Sequence, residues 1–174
     1  MVTETGRTFE ALNKRIWHSP GSLAKVGYTA PKYLHLVCSP QQALDFRTEM
    51  KQMATEWDAT KVIFEPMPAS CSEENLDALT AVLPFVEVFS PNEEEAAKIL
   101  GFQLEQDEEG RKKGIGAIGN RMHGLGSKLV IIRSGALGAC IFQEDEQATW
   151  VPPYHTTTEG IVDHTGAGNA FLVR

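Results

Sequence analysis

Apolar and polar positions alternate along this chain in a plan that repeats three times. Lys32-Tyr33-Leu34-His35-Leu36-Val37 is a short run suited to a strand. Ser39-Pro40-Gln41-Gln42 follows, with a capping Ser, Pro at the first helical position and Gln at the third. Ala43, Phe46, Met50, Met53 and Trp57 then recur in steps of three and four, the inner face of an amphipathic helix. In the second unit Lys61-Val62-Ile63-Phe64-Glu65 predicts a buried strand, and Pro66 and Pro68 mark a loop. Ser70 and Glu73 are placed to cap a helix with Leu76, Leu79 and Leu83 inward, stopped by Pro84. In the third, Phe85-Val86-Glu87-Val88-Phe89 predicts a strand and Ser90-Pro91-Asn92 opens a helix ending near Gly101. Strand and helix in regular alternation predict an α/β fold, a mainly parallel sheet with crossover helices.

The pattern is weaker on either side of these units. Residues 1–30 carry no sustained periodicity and read as a poorly defined N-terminal segment, with Ser19-Pro20-Gly21-Ser22 as a turn or linker. Residues 103–114 are charged and predict a surface loop. Ile115, Ile118 and Met122 have helical spacing, but Gly114, Gly116 and Gly119 each weaken such a helix by about 1 kcal/mol relative to Ala. Lys128 to Ile132 predicts a fourth strand. Ala139 to Phe142 and Thr149 to Val151 predict a late antiparallel pair joined by an acidic turn.

At 174 residues, with 42% hydrophobic and 22% charged, the chain has ordinary globular usage and enough length for one core. The formal net charge of −7 argues against sequence-independent binding to nucleic acid or to an anionic membrane, both of which need a basic patch. Cys38, Cys71 and Cys140 are far apart and in no metal-ligand spacing, as expected of buried free thiols. With no apolar signal core near the N-terminus and no run approaching a membrane span, the expected localisation is cytoplasmic. His18, His35, His123, His155 and His164 show no ligand spacing and are expected to be surface or core residues.

Three stretches carry candidate chemistry. Val162-Asp163-His164-Thr165-Gly166-Ala167-Gly168-Asn169 reads as a polar turn with a Gly-x-Gly leading into a helix. Unpartnered N–H groups at such a turn can hold an anion. Asn92-Glu93-Glu94-Glu95 is a capping box with acids at the positive end of the helix dipole. Gly135-x-x-Gly138 after a buried strand is a tight turn.

Together these stretches resemble the pfkB carbohydrate kinase family, the relatives of ribokinase and adenosine kinase. Asp163, Thr165, Gly166, Ala167 and Gly168 match the family's Asp-x-Thr-Gly-Ala-Gly-Asp. The final aspartate, the general base that deprotonates the substrate hydroxyl, is Asn169 here. The resemblance implies an anion hole at Gly166, Ala167 and Gly168 for the γ-phosphate of ATP. It implies that Asn92 and Glu95 order Mg²⁺ through water, and that Asp163 and Thr165 lie at the monovalent cation site, for K⁺, of some relatives. The turn at Gly135 and Gly138 would lie along the nucleotide. Two residues before its first glycine the family usually has Thr; here it is Arg133, which could pair with a phosphate or crowd the nucleotide. Glu65-Pro66-Met67-Pro68 stands where many relatives have Asp-x-Asn-x-Arg, without the Asn and Arg.

The resemblance implies a partial ribokinase-like domain over residues 31–174, similar to the fungal branch, in which Asn at the base position also occurs. Its function by descent is ATP-dependent phosphoryl transfer to a sugar or related alcohol. An amide cannot take the proton, so weak or absent turnover is expected. The alternatives are a non-catalytic nucleotide- or partner-binding protein, or a fragment without independent function. The family's N-terminal portion, with most of its sugar site, and its last helices have no counterpart in these residues. The expectation is therefore a truncated product, a gene-model fragment or a degenerate paralogue. Self-association through an uncovered sheet edge is expected to follow.

Overall fold

The computed structural model describes residues 16–53, 55–143, 148–155, 157 and 166–173. Six strands form one sheet in the order β1-β2-β3-β4-β5-β6. They are β1 (Tyr33–Cys38), β2 (Lys61–Pro66), β3 (Val88–Phe89), β4 (Leu129–Arg133), β5 (Ala139–Gln143) and β6 (Thr149–Val151). β1 to β4 are parallel neighbours, and β4, β5 and β6 are antiparallel. The helices are α1 (Pro20–Lys25), α2 (Pro40–Gln52), α3 (Thr55–Asp58), α4 (Leu76–Val82), α5 (Glu93–Leu100), α6 (Glu108–Gly124) and α7 (Ala167–Val173). The parallel sheet with crossover helices and the late antiparallel pair are those read from the sequence.

Sequential parallel strands joined by right-handed crossovers place their helices on one face of the sheet. Burial follows that rule. Val62 and Phe64 of β2, Val130 and Ile132 of β4, and Cys140 and Phe142 of β5 are buried. They join Met50, Leu79, Ile99, Ile115, Ile118 and Met122 from the helices in one core. The alternating positions Ile63, Leu129, Ile131 and Ile141 face the other way and are only half-buried. All three cysteines are buried free thiols, and burial pushes them up to about 11 at Cys38 and Cys140 and about 12 at Cys71.

Several boundaries differ from the sequence reading, each for a physical reason. Ser19-Pro20-Gly21-Ser22 is the start of a helix, not a linker. Ser19 and Ser22 form a reciprocal capping box, and Glu49 on α2 accepts from Ser19 Oγ at 3.0 Å and Gly21 N at 2.9 Å. The charged stretch expected to be a loop to residue 114 becomes α6 from Glu108, because Asp107 caps it by accepting from Gly110 N at 2.9 Å. The Ala43-to-Trp57 face divides between α2, which ends at Gln52, and the separate α3. Ser70 is not a cap; its hydroxyl donates to Met67 O at 2.7 Å, and 3₁₀ turns precede α4. The third strand shrinks to Val88–Phe89, since Leu83–Phe85 forms a 3₁₀ turn.

α6 lies close against β5 through Gly119, where a Cβ would collide with the Phe142 ring. The glycines that weaken α6 by propensity thus also permit one tight contact with the sheet.

Candidate active site

Ligand crevices of open α/β sheets lie beyond the carboxyl ends of parallel strands. Here those ends bring together polar groups from three strands. Glu65 sits near the end of β2, Ser90 follows β3, and Arg133 ends β4. β4 passes close to the segment after β3, and Arg133 N donates to Pro91 O at 3.1 Å while residues 92 and 133 form a parallel bridge.

The Arg133 guanidinium is the centre of the cluster. Its Nη2 donates to Glu65 Oε1 at 2.8 Å and to Ser90 O at 3.1 Å, and stands 3.9 Å from Glu95 Oε2. Glu65 Oε2 is in turn 3.1 Å from His35 Nε2, on β1. The side chains of Arg133, Glu65 and Glu95 are 13%, 12% and 7% exposed, so these charges interact with little screening by solvent.

The Asn92–Glu95 capping box read from the sequence is present. Asn92 Oδ1 accepts from Glu95 N at 2.8 Å, and Glu95 Oε2 accepts from Asn92 N at 2.8 Å. Burial pushes the Glu95 carboxyl up from the usual carboxylate range, against the opposing pull of the Asn92 N–H and of Arg133.

Beyond Arg133 the chain turns through a 3₁₀ segment, Gly135–Leu137, closed by Ser134 N donating to Gly138 O at 2.7 Å. Two buried polar atoms at this corner make no hydrogen bond within the described protein, Arg133 Nε and Ser134 Oγ. Orphaned donors at a crevice are the kind of group that an anionic oxygen satisfies. On the side of the turn nearer α6, Leu137, Trp150, Pro152, Pro153 and Lys112 line a shallow open pocket of about 260 Å³.

The Gly-x-Gly segment returns to the same place. Gly166 has φ +81°, and α7 starts at Ala167. Gly168 lies against Arg133: a Cβ there would collide with Nη1, so the absence of a side chain lets the guanidinium reach the loop. Asn169 is in α7, and its side chain lies outside the described residues. Asp163 and Thr165, the positions of the expected monovalent cation site, also lie outside them. Among the described residues no group of three or more His, Cys, Asp or Glu side chains is placed to hold a metal ion.

Of the residues singled out in the sequence, Asn92, Glu95, Arg133 and Gly168 are brought together, with Gly135 and Gly138 in the adjoining turn. Glu65, His35 and Ser90 belong to the cluster and were not singled out. His35 was expected to be an ordinary surface or core residue, and Glu65 was noted only for the absent Asn and Arg beside it. The one signal for them was position, since His35 lies within one predicted strand, Glu65 closes the next and Ser90 follows the third.

Comparison with known proteins agrees with this architecture. The profile of the pfkB family carbohydrate kinases matches residues 29–173, and the chain belongs to that family. An uncharacterised protein of Schizosaccharomyces pombe is 27% identical over 179 residues, covering 95% of this chain and 50% of that protein. A cytidine kinase of Thermococcus kodakarensis is 34% identical over 95 residues, 55% of this chain and 30% of the kinase. Among solved structures, ribokinase from Giardia lamblia superposes with a TM-score of 0.60 at 25% identity, covering 81% of this chain and 41% of the ribokinase. Ribokinase of Arabidopsis thaliana, complexed with ribose and ATP, has a TM-score of 0.55 at 20% identity, covering 81% and 40%. The chain thus spans half or less of the length of these relatives. No helix among the described residues is long and apolar enough to cross a membrane.

Proposed function

We propose that this chain is a kinase-like protein whose crevice receives the phosphates of a nucleotide, with phosphoryl transfer to a sugar or related alcohol as its ancestral chemistry. The observation that carries this reading is the approach of the Arg133 guanidinium to the Gly168 backbone at the carboxyl ends of the parallel strands, beside the Asn92–Glu95 capping box. Family membership supports ATP as the donor, and ribose with ATP in the Arabidopsis relative supports a hydroxyl acceptor. The amides of Gly166, Ala167 and Gly168 are assigned to the developing phosphoryl charge, a role in which preorganised donors contribute most. The turn at Gly135 and Gly138 would lie along the nucleotide. Asp163 and Thr165 keep their resemblance to a monovalent cation site. A cytoplasmic location fits such a soluble-substrate reaction.

Asn169 is the weak point of that chemistry. Its carbonyl oxygen can orient an acceptor hydroxyl but cannot take the proton at neutral pH. Loss of a positioned base costs about 10² to 10⁴ in rate. We therefore expect weak or no turnover, and the non-catalytic reading, nucleotide or partner binding through the same surface, draws its support from the same residue. Phosphorylation of a panel of sugars and nucleosides from radiolabelled ATP tests this. Transfer should be near background in the native chain and rise in Asn169→Asp. ATP binding without any gain in the variant would leave the binding protein as the better description. No ATP binding at all would favour a fragment without independent function. The half-exposed face of the sheet and the outer edge of β1 also support self-association.

A further inference from the structure

The Arg133 guanidinium fills space as well as carrying charge. Its Nη2 donates to Glu65 Oε1 at 2.8 Å and to Ser90 O at 3.1 Å, and Glu95 Oε2 faces it at 3.9 Å. The charge is therefore balanced within the protein before any ligand arrives. Arg133 Nε and Ser134 Oγ have no partners, yet both atoms are enclosed by protein, so a ligand oxygen does not reach them while the side chain stays in place. Nη1 lies against Gly168, where a Cβ would collide with it. Gly166 and Ala167 are exposed, whereas Gly168 beside the guanidinium is half-buried.

A terminal phosphoryl group held by the amides of Gly166, Ala167 and Gly168 needs room against that loop. The guanidinium takes up room there, and a cation already paired with a carboxylate offers little net attraction in return. The metal side of the crevice is not obstructed in the same way. Glu95 Oε2 accepts from Asn92 N and faces Arg133, whereas Oε1 is uncommitted and suits a water-mediated contact to Mg²⁺. The obstruction falls on the loop and not on the metal-ordering carboxylate.

We propose that Arg133 is an internal occupant of the phosphoryl position, an autoinhibitory contact. A nucleotide seats its terminal phosphate at the Gly-x-Gly loop only when the guanidinium leaves Gly168 and Glu65. The proposal rests on the nucleotide-binding reading above. Affinity is then reduced by the small fraction of molecules in which the side chain has moved away. Arg133→Ala with Glu65→Gln opens the space and removes one charge of each sign, so the net charge of the crevice is kept. Calorimetric titration with Mg-ATP and with AMP compares this pair with the native chain. The variant should bind Mg-ATP about tenfold or more tightly, since at least one charge-assisted hydrogen bond no longer has to be broken. AMP, which carries no terminal phosphoryl group for the loop, should bind both proteins alike. A native chain that binds Mg-ATP as tightly as the variant overturns the proposal and leaves the nucleotide site standing. So does an equal gain for AMP, the mark of general loosening. If neither protein binds either nucleotide, the proposal and the reading beneath it both fall. Should the alanine variant not fold, Arg133→Gln with Glu65→Gln is shorter than the native side chain and keeps a hydrogen-bonding pair. It should show the same selective gain for Mg-ATP, and its absence overturns the proposal equally.

Discussion

A guanidinium between two largely buried carboxylates is a commitment that the fold cannot easily undo. Arg133 balances Glu65 and stands close to Glu95, in a place where water screens little. Removing one member of such a set leaves charge without compensation, which typically costs about 3 to 5 kcal/mol. Arg133→Met should therefore lower stability by roughly 3 kcal/mol in urea unfolding, although it keeps most of the side chain's bulk. Neutralising the partner in the same background, as Arg133→Met with Glu65→Gln, should recover part of that loss. A double variant no more stable than Arg133→Met alone would mean that Glu65 contributes no charge strain there. The pairing spans 68 positions of sequence, and nothing in the local pattern around Glu65 announces it. Glu65 ends a predicted strand without the flanking residues of its relatives, and only the parallel register brings it to Arg133. Arg133 itself was legible, as a charge in a place where a small hydroxyl is usual.

At the scale of the elements, α6 separates intrinsic preference from packing. Gly116 has open space where a Cβ would go, and Gly119 has the Phe142 ring. Gly116→Ala should stabilise the protein by up to about 1 kcal/mol, the intrinsic preference of Ala over Gly in a helix. The same gain is available at Gly119, but the new methyl must displace a buried ring, and overpacking of this kind costs about 1 to 3 kcal/mol. Gly119→Ala should be neutral or destabilising, and Phe142→Leu should offset part of its cost. Equal stabilisation by both alanines in thermal unfolding would show that α6 slides freely on the sheet. The case also shows which elements a sequence discloses. Capping boxes and apolar runs are local, so the start of α2 and the bounds of α5, β1, β2 and β4 were legible to within a residue or two. α1 was read as a linker because part of its support comes from Glu49, 30 residues from Ser19. The start of α6 was missed because a charged, glycine-containing segment has no helical signature until an apolar face exists to pack it.

Among the described residues, the sheet carries helices on one face and much less on the other. Among the described residues nothing pairs with the outer edge of β1, and on this strand Tyr33 and Val37 are 49% and 46% exposed. Val37 stands opposite Glu65 in the register, so the apolar stripe runs directly up to the charged cluster. An unpaired parallel edge beside exposed apolar side chains is a template for another strand. A second copy offers the same edge, and a two-fold axis beside β1 would pair the two edges antiparallel and extend the sheet across the dimer. Sedimentation velocity over a range of concentrations should show a reversible dimer of the native chain. Val37→Lys places a charge on that stripe without entering the buried core, and should shift the distribution to monomer while leaving thermal stability within about 0.5 kcal/mol. A native chain that is monomeric at every concentration would mean that the edge is covered by residues of the chain itself. A dimer indifferent to Val37→Lys would place the contact elsewhere on the surface. Because the edge and the crevice share Val37 and Glu65 as neighbours, nucleotide affinity measured across the same concentrations also reports whether association and ligand binding are coupled. Coupling should appear as a concentration-dependent affinity in the native chain and vanish in Val37→Lys.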